Sequence, residues 1–240
     1  MPTITEIEYH PLSPFLPEGA KVLMLGSFPP PRERWCMDFF YPNPQNDMWR
    51  IMGQVFFGDK THFEVPCCEI PRLEAPRDGK QQTSQQTIQQ TTQQTTQQAI
   101  QQAIRRSTGR KKEFDYEAIV AFCQEQGIAI FDTAQAVRRL HGNASDEHLE
   151  IVERTDIVAL LQQIPLCHDL CCTGGKAANT LADMLHTATP KAGEYIDTVF
   201  NDRSIRFWRM PSTSRAYPLS FDKKAAAYQH MFDMLTALDE

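Results

Sequence analysis

"KVLMLGSFPPPRERWCMDFFYPNPQNDMWRIMGQVFFG", residues 21–58, is the stretch on which the fold turns. It opens with an apolar run, Val22–Leu25, that stops at Gly26 and reads as a buried strand. It closes with Met48, Ile51, Met52 and Val55, spaced for one face of a helix that Gly58 ends. The loop between them begins with Pro29, Pro30 and Pro31, which fix backbone angles and remove N–H donors. It continues with the flat rings of Phe39, Phe40 and Tyr41, then the amides of Asn43 and Asn46. A loop this stiff can hold a flat ligand in one orientation. A neutral amide both donates to and accepts from the ligand's edge, whereas an ionised carboxylate only accepts. The same residues also suit a plainer role, with rings in the core and asparagines in turns.

Outward from this stretch the pattern repeats. The preceding "EYHPLSPFLPEGA" (8–20) is rich in proline and reads as a surface wrap. Downstream, "FDYEAIVAFCQEQG" (114–127) is an amphipathic helix closed by Gly127, and "IAIFDTA" (128–134) a short buried strand. "RTDIVALLQQIP" starts at an N-cap, Thr155 or Asp156, and ends at Pro165. "HDLCCTGG" (168–175) is a third buried strand and "KAANTLADMLHT" (176–187) the helix after it. "EYIDTVFNDRSIRFWRMPSTS" (194–214) reads as a hairpin turning at 201–203, and "SFDKKAAAYQHMFDMLTAL" (220–238) as a closing helix capped by Ser220. Strands alternating with helices predict an α/β fold with a mostly parallel sheet covered on both faces. Ligands of such sheets sit beyond the carboxyl ends of the strands. That rule selects the loops after Phe28, Phe131, Thr173 and Met210.

The 240 residues are read as a single domain, 1–240, interrupted by an insertion at 65–112. Within it "QQTSQQTIQQTTQQTTQQAIQQAI" (81–104) holds too few apolar residues to build a core. No window approaches the ~18 uninterrupted apolar residues of a membrane span, and the first residues lack the basic-then-apolar signature of a secretory leader. The expectation is a cytoplasmic protein. Its seven cysteines are odd in number, include the adjacent pairs 67–68 and 171–172, and contain no C-x₂-C, so they read as buried or incidental thiols. A net charge of −6 speaks mildly against nucleic acid, although a site needs only a few placed cations. Local basic runs exist at 105–112, 206–209 and 222–224, each read as a solvated face.

The remaining strand-end loops carry polar groups. "CTGGKAANT" (171–179) puts two glycines and Lys176 at a strand-to-helix junction, which favours an anion or is a simple tight turn. "MPSTSRAYP" (210–218) offers Ser212, Thr213, Ser214 and Arg215, the side-chain types that contact phosphate backbones. Asp132 ends the middle strand and reads as a base contact, a water-holder or a helix cap. None of the histidines falls in the four selected loops. His10, His62, His141, His148 and His186 read as surface or helix residues, and no G-x-S-x-G is present, so a nucleophilic triad is not indicated.

Taken in order, "GSFPP" (26–30), "FYPNPQNDMW" (40–49) and "MPSTS" (210–214) resemble the motifs of the uracil-DNA glycosylase superfamily. The second is similar to the "YYAHPRNxFW" segment, and the third to the "LPSTSP" motif, of its hypoxanthine-DNA or double-strand uracil-DNA glycosylase branch. Order and spacing agree across about 190 of the 240 residues. The resemblance implies a three-layer α/β/α sandwich with a mostly parallel central sheet. It also implies a monofunctional enzyme that flips a deaminated base out of DNA and hydrolyses its N-glycosidic bond without metal or cofactor, acting as a monomer. Carried over by position, Phe40 stacks on the base and Asn46 is the catalytic or base-reading amide. Ser27, Phe28, Pro29 and Asn43 shape the base pocket, and Ser212, Thr213, Ser214 and Arg215 hold the DNA backbone. Lys176 joins them by the strand-end argument alone. The sequence departs from the pattern at Phe28, where many members carry a water-activating Asp or Asn, and at Met210, where a His often stands. Asn43 stands for a His, and Arg215 and Tyr217 replace part of "SPAN". Either Asn46 with Asp132 carries the reaction, or the protein is a slow or inactive binder of nucleic acid or nucleobases. A small-molecule hydrolase using Cys36 is the third reading.

Overall fold

β2 (Val22–Gly26) is buried at every position, as a strand must be when both faces of its sheet are covered. Its neighbours β3 (Ile128–Asp132) and β6 (Asp169–Thr173) are equally buried. In the computed structural model these strands form a five-stranded sheet with β7 (Glu194–Phe200) and β8 (Arg203–Met210), in the order β3-β2-β6-β8-β7. The pairings β2–β3, β2–β6 and β6–β8 are parallel, and β7–β8 is the expected hairpin. Its turn residues Asn201 and Asp202 both adopt positive φ, 51° and 61°, as a two-residue turn matched to strand twist requires. β7 lies at the sheet edge, and its exposure alternates accordingly.

The structure describes residues 6–65, 113–140 and 148–237. Apart from Val65, the expected insertion, the basic run at 105–112 and His141 lie outside them. Met1–Glu64 and Glu113–Glu240 belong to one compact unit. Among the described residues no helix is long and apolar enough to cross a membrane.

The described residues also form five α-helices: α1 (Met48–Phe57), α2 (Tyr116–Glu125), α3 (Ile157–Gln163), α4 (Gly175–Leu185) and α5 (Phe221–Thr236). Phe56 of α1 meets Phe122 of α2 and Phe232 of α5, each at 4.8 Å between ring centres, so these three helices share one cluster. α4 packs against β6 and β8. Asp115 and Asp156 cap α2 and α3 by accepting from backbone N–H groups, whereas Ser220 makes no such bond with its side chain.

Two expectations fail here. The segment 8–20 does lie mostly at the surface, but it is also tied into both sheets. Residues 7–9 form β1, His10 is buried beyond it, and Phe15 pairs its backbone with Ile130. The run 128–134 is not one strand, because the chain breaks at Thr133. That residue bonds the Gly26 carbonyl through both N–H and hydroxyl. The chain then enters β4 (Ala134–Arg139) of a second, antiparallel sheet, β1-β4-β5, with β5 at Leu149–Arg154. Asp132 therefore caps no helix. Finally, the basic runs are solvated faces only in part: Lys224 is 1% exposed although Asp222 and Lys223 are exposed, and Phe207 and Trp208 of the run at 206–209 are fully buried in β8.

Candidate active site

Parallel strands put their carboxyl ends at one edge, and at that edge lies a cleft of about 680 Å³, well within the range of small-ligand sites. Gly26, Asp132 and Thr173 enter it from the ends of β2, β3 and β6. The proline-aromatic loop supplies Ser27, Phe28, Pro29, Phe40 and Tyr41, and the loop after β8 supplies Ser212, Thr213 and Ser214. Asn43, Asn46 and Lys176 also line it. Every candidate residue from the sequence is thus at this cleft except Arg215. Phe39 is not there either. It is core, packed on Phe15, Phe40 and Trp49.

Asn46 is oriented by its own turn. Its Oδ1 accepts from the Met48 N–H at 2.8 Å, leaving the amide NH₂ as its hydrogen-bonding face toward other groups. Asn43 does the same with the Gln45 N–H at 2.9 Å. Two groups that the sequence did not single out hold this segment. The Arg50 guanidinium donates to the carbonyls of Pro44 and Asn46, both at 2.9 Å, and pairs with Glu64. Asp47 accepts from Arg215 at 2.9 Å and from buried Lys224 at 3.4 Å, while its N–H donates to the Thr213 carbonyl. Lys224 also donates to the Ser214 carbonyl at 2.8 Å. The second and third motif segments are thereby clamped together, and Asn46 and Ser214 form a β-bridge. Arg215, expected on the DNA backbone, spends its Nε on Asp47 instead.

The far wall is set by Asp132. Its Oδ2 bonds His10 Nε2 at 2.9 Å, and the His10 side chain is fully buried. The surface or helix position expected for His10 is therefore wrong. Its partner lies 122 positions away, beyond any local signal. Tyr41, at φ 50°, sends its hydroxyl to Thr173 Oγ1 at 2.9 Å. Burial first, and the nearby Asp132 second, push that phenol well above its ordinary range, so it stays neutral. Met210 is buried in the core, and Phe28 lies against His10 at 5.4 Å between ring centres. At neither of these positions does a polar side chain face the cleft.

Gly26 is the one position here where a side chain cannot fit. A methyl on it would lie 2.2 Å from Asp132 Oδ1 and 3.7 Å from the Tyr41 hydroxyl. Gly26→Ala is expected to displace the Asp132 carboxylate and to cost about 1–3 kcal/mol of stability by overpacking. Urea denaturation of the variant against the parent measures it.

Comparison with known proteins gives a likeness of fold. A solution NMR structure of a candidate uracil DNA glycosylase from Methanosarcina acetivorans is similar to this chain, at 17% identity and a TM-score of 0.53, over 96% of this chain and 99% of that one. No family model and no curated protein matches the chain.

Proposed function

We propose that the protein is a monofunctional DNA glycosylase that hydrolyses the N-glycosidic bond of a deaminated base, uracil or hypoxanthine, flipped out of DNA. On this reading it has the three-layer α/β/α sandwich of the uracil-DNA glycosylase superfamily and lies nearest the hypoxanthine-DNA or double-strand uracil-DNA branch. The observation that carries the proposal is that Phe40, Asn46 and Asp132 line one cleft at the carboxyl ends of parallel strands. A flipped base needs a ring to stack on and polar groups for its edge. Phe40 gives the first. The Asn46 NH₂ gives the second, and it donates where negative charge grows on the departing base. Asp132 holds the attacking water. Ser27, Phe28, Pro29 and Asn43 shape the base pocket, and Lys176, Ser212, Thr213 and Ser214 take the phosphates that flank the lesion. Arg215 can join them only through the guanidinium nitrogens that Asp47 leaves free.

Oligonucleotides carrying a single uracil, hypoxanthine or xanthine test this. Alkali-labile abasic product is expected from at least one. Intact binding with no product from any of them rejects catalysis and leaves the second reading, an inactive lesion or nucleobase binder. That reading has its own support in the apolar residues at Phe28 and Met210.

The Cys36 hydrolase reading loses ground on chemistry. The thiol donates to the Pro42 carbonyl, and burial raises its pKa, the opposite of an activated nucleophile. Burial pushes Cys123 and Cys167 up to about 12. Iodoacetamide treatment is accordingly expected to leave the glycosylase rate within about twofold of the untreated value.

A further inference from the structure

This chain has Phe28 where the superfamily pattern often puts a polar residue, yet hydrolysis still needs a group that holds water. The carboxylate of Asp132 enters the same cleft from the neighbouring strand. One of its oxygens, Oδ2, is taken by His10. The other, Oδ1, has no partner among the described residues and sits so close to Gly26 that only glycine fits there. His10 is fixed on both sides. Its Nδ1 meets the backbone of Leu12, at 2.9 Å from the carbonyl and 3.2 Å from the N–H, and its Nε2 meets Asp132. The rings of Phe28, Phe40 and Phe131 enclose it at 5.4, 6.1 and 4.5 Å. A fully buried imidazole with this many constraints has one orientation, and its Nε2 points at the carboxylate.

Resting on the glycosylase reading, we infer that His10 is a positioning residue that aims Asp132 Oδ1 at the hydrolytic water, so that the water-holding task has moved from the end of β2 to the end of β3. In the step so assigned, the water oxygen bonds to C1′ of the flipped nucleotide as the C1′–N bond breaks. The bonding pair leaves with the base and is stabilised by the Asn46 NH₂. The water's proton passes to Asp132 Oδ1 and from there to solvent. Phe28 is then part of the device. It closes the side of His10 with an apolar ring, keeping other hydrogen-bond partners from the imidazole.

The titratable groups turned toward Asp132 are His10, from the chain after β1, and Tyr41, from the loop before α1, whose phenol stays neutral. Arg139, behind Phe28, is turned to Glu8 and to the Pro29 carbonyl.

The test is the single-turnover rate on the lesion that the wild type cleaves, for Asp132→Asn, His10→Ala, His10→Gln and the double variant. Asp132→Asn is expected to lose about 100-fold or more. His10→Ala is expected to lose about 10-fold, because the carboxylate is no longer held in one orientation. His10→Gln, whose amide supplies the same donor, restores most of the rate, and the double variant is no slower than Asp132→Asn. An unchanged rate in His10→Ala, or a loss that Gln does not rescue, overturns the assignment. Imidazole NMR of the wild type reads the pair without activity, with a protected Nε2 proton expected that Asp132→Asn shifts or exposes. A protected proton with no turnover on any lesion overturns the glycosylase reading and, with it, the role in hydrolysis. Turnover with an Nε2 proton indifferent to Asp132→Asn overturns the pairing alone.

Discussion

Asn46→Ala is expected to lose about 100- to 1,000-fold in single-turnover rate while lesion-containing DNA still binds. The size follows from the direction in which the amide is held. Oδ1 is committed to the Met48 N–H, so the group left for the cleft is a donor, and a donor acts on a base that becomes an anion as it leaves. Alanine also removes that turn bond at the start of α1, which costs about 1 kcal/mol. Asn46→Asp separates the two effects. It keeps the acceptor for Met48 and adds a negative charge near a helix N-terminus, which is favourable for folding. It replaces the donor with an acceptor, however, and is expected to be as slow as Asn46→Ala while unfolding no earlier than the parent. A fast Asn46→Asp in the lesion assay would rule out the donor role.

Asp47→Ala is expected to be the most destabilising single change near the site, at about 3–5 kcal/mol in urea denaturation. Lys224 is 1% exposed, and removing Asp47 leaves its ammonium with the Ser214 carbonyl alone. A domain is stable by only about 5–15 kcal/mol, so the loss is a large share of the total. Arg215, on the other side of Asp47, is half exposed, and Arg215→Ala is expected to cost less than about 1 kcal/mol. Lys224→Met should cost less than Asp47→Ala, because it removes the buried charge instead of stranding it. Both Asp47→Ala and Lys224→Met unfasten the loop at 210–214 from the start of α1, so weaker DNA binding should accompany either. Equal stability of Asp47→Ala and the parent would show that the clamp is not what holds the loop.

The sheet was legible in the sequence because β2, β3 and β6 are short apolar runs stopped by glycine or a polar residue, the mark of strands buried on both faces. The hairpin at 201–202 and the helices at 48–57, 116–125 and 157–163 were legible for similar local reasons: turn residues, caps and helical spacing. The cleft could be placed because parallel strands put their carboxyl ends at one edge, and the sequence marks where each strand stops. The second sheet was not legible. β1, β4 and β5 are short, only partly buried segments, and β1 finds its partner β4 more than a hundred residues away. The same limit hid His10 and Lys224. A histidine and a lysine look like surface residues until the fold supplies Asp132 and Asp47. By itself, then, the sequence determined which strands and helices form and which loops gather at the strand ends, because those depend on neighbours along the chain. Only the tertiary structure decided that His10 and Lys224 are buried and which way the Asp132 side chain faces, because their partners come from distant parts of the chain and from the packing around them.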